Sequence, residues 1–133
     1  MSFATVINTL LQSDATLNAA LLDADSGETN IYAYHLPDNL DVSKTAIVFT
    51  YKKDEGVDVL EEKNVLEKYT LYLVIVAGDP ADTESTAALV HSFVDTYSDS
   101  NLLDITYEDE VNGQNDERDR YFKSLEFVIW YQS

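Results

Sequence analysis

Residues 69–77, Tyr-Thr-Leu-Tyr-Leu-Val-Ile-Val-Ala, constrain the fold of this chain more than any other stretch. The segment is rich in β-branched and aromatic residues, which fit a pleated surface. Tyr69, Leu71, Leu73 and Ile75 share one face, and Tyr72, Val74 and Val76 make the other face almost as apolar. A strand apolar on both faces predicts cover on both sides. The longest apolar run, residues 71–77, is far too short to cross a bilayer. With no basic or long apolar amino-terminal segment, the reading is a soluble protein without a signal peptide.

The remaining chain arranges itself around that strand. Phe3, Val6, Ile7, Leu10 and Leu11 recur at helical spacing and predict a core-facing helix. Ser13-Asp14 offers a cap for a second short helical segment through Leu17, Leu21 and Leu22. Alternation then predicts strands at residues 31–35 and 46–51, with Leu36-Pro37-Asp38-Asn39 stopping the first. Residues 52–68 hold six acidic and four basic side chains and read as a long charged loop or β-arm. Gly78-Asp79-Pro80 reads as a strand-to-helix turn, followed by a helix over about 82–97 with Thr86, Leu89, Val90, Phe93, Val94 and Tyr97 on its buried stripe. Strands at residues 102–108 and 120–131 close the chain, joined by a hairpin loop at about 109–119. Helices grouped apart from strands predict one α+β domain over residues 1–133. Its sheet is mainly antiparallel, of four to five strands, with an amino-terminal helix pair and one long central helix on one face.

The charge balance narrows the partners. Twenty-five Asp and Glu against eight Lys and Arg give a net charge of -17, yet 45% of the residues are hydrophobic, so the charge must lie outside a folded core. Such a surface repels phosphate backbones. The chain has no cysteine, which excludes disulfides, zinc thiolates and thiol nucleophiles and suits a reducing cytoplasm.

No motif points to catalysis or to a cofactor. His35 and His91 lie far apart in sequence, with no nucleophile motif beside either. Residues 23–28, Asp-Ala-Asp-Ser-Gly-Glu, resemble the start of a calcium loop. Glycine falls fifth rather than sixth, however, and Tyr34 stands where the bidentate acid belongs, so they read as a solvated turn. Pairs such as Glu61-Glu62 carry little information in so acidic a chain. The four glycines form no phosphate-binding loop. The expectation is a non-enzymatic protein without metal or cofactor.

The order of elements resembles the tail-terminator and tail-completion proteins of tailed bacteriophages. The resemblance rests on Leu10-Leu11 and Leu17, on Ile31-Tyr32 before Pro37, on Ile47-Val48-Phe49 and on residues 69–75. It continues through Ala87-Ala88 with Val90 and the closing residues 120–129, and so spans nearly the whole chain. It implies a structural virion protein of the tail or neck, assembled in the host cytoplasm. Such a protein forms a homohexameric ring on the tail tube protein, stops tube polymerisation and joins a head connector or stopper protein. DNA would pass through the ring without specific binding, because a lumen of carboxylates releases no counterions from it. Strand edges of neighbouring subunits would pair, with the 52–68 arm lying over the next subunit. Candidate inter-subunit or lumen residues are Asp54, Glu55, Asp58, Glu61, Glu62, Glu108, Asp109, Glu110, Asp116 and Glu117. The alternative is an acidic DNA mimic that inhibits a host nucleic-acid enzyme, which would need its carboxylates in phosphate-like rows on helices or strands.

Overall fold

Phe3, Ile7, Leu10 and Leu11 bury the one apolar face that their spacing creates, and Phe3–Gln12 forms α1. A computed structural model describes residues 3–23, 27–37, 40, 43–53, 59–61, 64–97, 102–115 and 120–132. The hydroxyl of Ser13 donates to the carbonyl of Leu10 and closes α1. Asp14 then caps α2 (Ala15–Leu21), its carboxylate accepting from the Leu17 amide at 3.0 Å. This cap satisfies one of the amides that a helix start leaves without an internal partner. Asp79 plays the same part for α3 (Pro80–Thr96), accepting from the Ala81 amide at 2.8 Å, and Pro80 occupies the first turn, where its missing N–H costs nothing.

The strands are β1 (Ile31–Ala33), β2 (Ala46–Lys53), β3 (Val59–Glu61), β4 (Asn64–Ala77), β5 (Leu102–Asn115) and β6 (Arg120–Gln132). They form one sheet in the order β1-β2-β4-β6-β5, with β3 pairing the outer part of β4. The sheet is mixed. β1 runs parallel to β2, Ile31 opposite Ile47, while the other pairings are antiparallel. The connection from β1 to β2 spans residues 34–45, long enough for the crossover that parallel neighbours require. The α+β class stands, with one parallel pair and one more strand than the alternation predicts.

Three elements differ in extent from the sequence reading. β1 ends at Ala33, because Tyr34 turns the chain with φ of 72°, a left-handed conformation uncommon for a bulky side chain. Residues 52–68 include the β3–β4 pairing, with Val59 opposite Leu66 and Glu61 opposite Asn64, so their described part is a β-arm. β5 does not stop at Glu108. Its ladder with β6 continues to Asn115 opposite Arg120, and Asn112-Gly113 lies within the strand rather than in a 109–119 loop. An edge strand can hold so many carboxylates because they point into water. At Gly113 the partner Phe122 supplies the missing side chain: a Cβ built there would meet Phe122 Cζ at 2.3 Å.

All three helices cover one sheet face. Phe3, Ile7, Leu11, Leu17, Leu21, Val90 and Phe93 pack with Ile47, Phe49, Leu71, Leu73, Ile75, Leu125, Phe127 and Ile129 in a single core. At one end of this core Phe3 stacks on Tyr69 with ring centroids 3.8 Å apart, and Tyr51 and Tyr131 meet Phe3 edge-on. The Tyr69 hydroxyl donates to Glu67, and burial, followed by that bond and the Glu67 charge, holds its pKa well above the usual 10.0. No described helix covers the opposite face, but Ala46, Val48, Val76 and Arg120 are buried on it, so the cover expected on both sides of β4 is complete on the helix side and partial on the other.

Candidate functional site

Three of the carboxylates singled out in the sequence come together on β5. Glu108, Asp109 and Glu110 are all exposed on this edge strand, and Asp104 lies farther along it. The register skips between Tyr107 and Asp109, leaving Glu108 as the extra residue of a bulge. Asp109 stands opposite Glu126 of β6. Like charges directly opposite are destabilising, so this edge is acidic at some expense to the sheet. Glu61 lies in β3 opposite Asn64, at the far end of β4. Leu66 of β4 is in register with Gln132, whereas Asp109 is in register with Glu126. At the usual rise per residue, this offset alone separates the two acidic groups by about 20 Å. Asp54, Glu55, Asp58, Glu62, Asp116 and Glu117 lie outside the described residues.

The face opposite the helices carries Val48 and Thr50 of β2, Tyr72, Val74 and Val76 of β4, Phe122, Val128 and Trp130 of β6, and Val111 of β5; Val48 and Val76 are buried there. Tyr72 is 37% exposed and Val111 55%. At the lower end Lys68 lies 5.8 Å from the centre of the Trp130 ring. Arg120, buried at the upper end, donates from Nη2 to the Leu40 carbonyl and ties the β1–β2 connection to β6.

The sequence reading passed over Lys123. It sits on the helix-covered face, its side chain only 3% exposed, and Nζ bonds Oε1 of both Glu84 and Glu110 at 2.8 Å. Burial alone would lower the lysine pKa, but the hydrogen bonds and charges of Glu110 and Glu84 outweigh it and hold the value above 10.5. Beside this triad the ring of His91 meets Tyr107 edge-on at 4.7 Å. Desolvation, and then the charges of Glu110 and Asp109, raise the Tyr107 pKa above 10.0. The signal for Lys123 is its parity: it shares the two-residue period of Tyr121, Leu125 and Phe127, so alternation alone places a lysine on the buried face.

At the other edge of the sheet a cleft of about 240 Å³ opens between α1 and β1, lined by Ala4, Thr5, Asn8, Ile31, Ala33 and Phe49. Among the described residues no cluster of three or more His, Asp or Glu is placed to hold a metal ion. The features on view are therefore surfaces: an acidic edge, a half-apolar sheet face and an uncharged cleft.

A solved chain from the "Virion of native gene transfer agent (GTA) particle" superposes on this protein with a TM-score of 0.66. The match covers 99% of this chain and 100% of that one, at 15% sequence identity. The fold is shared with a virion component. No protein-family model and no curated protein matches the sequence.

Proposed function

We propose that the protein is a structural virion protein of the tail-terminator class. It forms a hexameric ring on the end of the tail tube, stops tube polymerisation and meets the head connector. The observation that carries this reading is the end-to-end likeness in fold to a chain of a gene transfer agent virion. The surfaces are compatible with it. The two edges of the sheet, β5 and β1, are different strands, and dissimilar edges suit head-to-tail contacts that close into a ring. Asp104 and Asp109, exposed on the open face of β5, suit a wall past which DNA moves, because they offer phosphates no cation to exchange. The role is architectural rather than catalytic.

Native mass spectrometry and negative-stain imaging of the purified protein, alone and mixed with tail tubes, test the reading. Six-membered rings, free or seated on tube ends, support it. A protein that stays monomeric or dimeric and leaves tube ends bare overturns it.

One observation favours the second reading, a DNA mimic. Asp109 belongs to a strand and not to a loop, and it shares one face of β5 with Asp104, whereas Glu110 lies on the other face, held by Lys123. Co-purification of a dimer or monomer with a nucleic-acid enzyme, released by competing DNA, would favour mimicry.

A further inference from the structure

We propose that the acidic β5 edge of one copy docks against the α1–β1 edge of the next, placing Tyr107 over the neighbour's cleft. This inference rests on the ring reading and names its contact surfaces. The argument begins with charge. Residues 102–115 of β5 carry Asp104, Glu108, Asp109 and Glu110 and no basic residue, so two β5 edges facing each other across a two-fold axis would align carboxylates with carboxylates.

The opposite edge is different. In a chain one quarter charged, α1 (Phe3–Gln12) and β1 (Ile31–Ala33) contain no charged residue at all. An acidic edge therefore meets no carboxylate of α1 or β1 themselves, Asp23 and Glu28 lie near Tyr32 of β1 with Asp23 paired to Lys44, and Thr5 and Asn8 put neutral hydrogen-bonding groups into the cleft wall.

Shape agrees with charge. Ile31, Ala33 and Phe49, which line the cleft, belong to the helix-covered side of the sheet, and Tyr107, opposite Phe127, belongs to the same side of β5. Sheets continued edge to edge around a ring keep that side in common, so Tyr107 of one copy meets the cleft of the next. Tyr107 is 44% exposed, and a cleft of about 240 Å³ accepts an aromatic ring. Tyr34, at φ of 72° and 56% exposed, follows Ala33 of the cleft wall in a backbone conformation that costs energy, a feature that clusters at functional sites. Because β1 has only three residues, side chains rather than a long ladder supply most of the contact.

The absence of cysteine makes the test clean. Asn8 and Glu108 are both exposed. The double variant Asn8→Cys/Glu108→Cys, treated with a short bis-maleimide, is expected to give a denaturing-gel ladder that runs past dimer to one closed species. A ladder that stops at dimer indicates a two-fold contact and overturns the inference. So does the lack of any cross-link in a protein that native mass spectrometry shows as a ring, and in that case the ring reading stands. A wild-type protein that forms no ring, with or without tubes, removes the ring reading and this inference together. In a second arm Asn8→Glu is expected to abolish the ring while Asn8→Gln keeps it. Circular dichroism confirms that both remain folded, and rings of undiminished stability in Asn8→Glu count against the proposal.

Discussion

Lys123 carries a buried charge whose two partners face water unequally. Glu84 is 68% exposed and Glu110 34%, so either carboxylate can turn into solvent when the lysine is gone, but the lysine cannot follow them. Removing the cation is therefore mild, and removing both anions is not. Lys123→Met is expected to change the unfolding free energy by less than about 1 kcal/mol, since an apolar chain of similar length fits the site. The double variant Glu84→Ala/Glu110→Ala strands the ammonium and is expected to cost about 3 kcal/mol in urea titrations. The same group predicts an alkaline limit. In the folded state Lys123 titrates above 10.5 and Tyr69 above 10.0, so each contributes stability that is complete below those values and is lost as pH rises past them. Thermal melts should be level through neutral pH and fall above about pH 10. Tyr69→Phe, which has no proton to lose, is expected to show a shallower alkaline fall in Tm, and an identical fall would refute the assignment to Tyr69.

At the level of elements, β5 shows what a strand needs when its side chains are mostly acidic and its outer edge is open. The ladder with β6 passes through Gly113, where the Phe122 ring occupies the space that a Cβ would take. Gly113→Ala is expected to push the ring off and destabilise the hairpin by about 1 kcal/mol, although alanine is the better strand residue. In a Phe122→Ala background the same substitution should be neutral or stabilising, and a double-mutant cycle measures that coupling. Losing the α3 cap through Asp79→Ala should cost about 1 kcal/mol by denaturant titration, with Asp79→Asn recovering most of it. These two elements also show what the sequence discloses. The α3 start was legible because Asp79-Pro80 is a local signal: cap chemistry involves neighbouring residues only. The continuation of β5 was not, because Asn112-Gly113 is a turn signal in isolation and becomes strand only when Phe122, nine residues on, lies over the glycine. Likewise Tyr69–Ala77 declared itself a strand, but which face the helices would cover depended on all three choosing the same one. The sequence singles out Glu108, Asp109 and Glu110 but assigns the last two to a loop, so the edge strand they occupy went unread, as did the uncharged cleft, which is assembled from α1, β1 and β2.

For the whole molecule the net charge of -17 sets the terms of every association. Copies of this chain repel one another at long range, and short contacts at the sheet edges must overcome that repulsion. Salt screens the long-range part first, with a Debye length of about 30 Å at 0.01 M and about 8 Å at 0.15 M. Assembly of copies into a ring should therefore strengthen as salt is added, the association constant rising between about 0.02 and 0.3 M in sedimentation equilibrium. A DNA mimic would respond in the opposite sense. Its carboxylates would occupy a basic site, so salt would screen an attraction and weaken the complex. The direction of the salt effect thus separates the two readings without knowledge of any partner. Protonation gives an independent check on the ring. Lowering the pH toward 4.5 neutralises part of the carboxylate surface, which should also promote rings in low salt. If both salt and mild acid disperse an assembly already formed at neutral pH, its contacts are ion pairs between unlike charges. An acidic β5 edge resting on the neutral cleft between α1 and β1 is then the wrong description of how the copies meet.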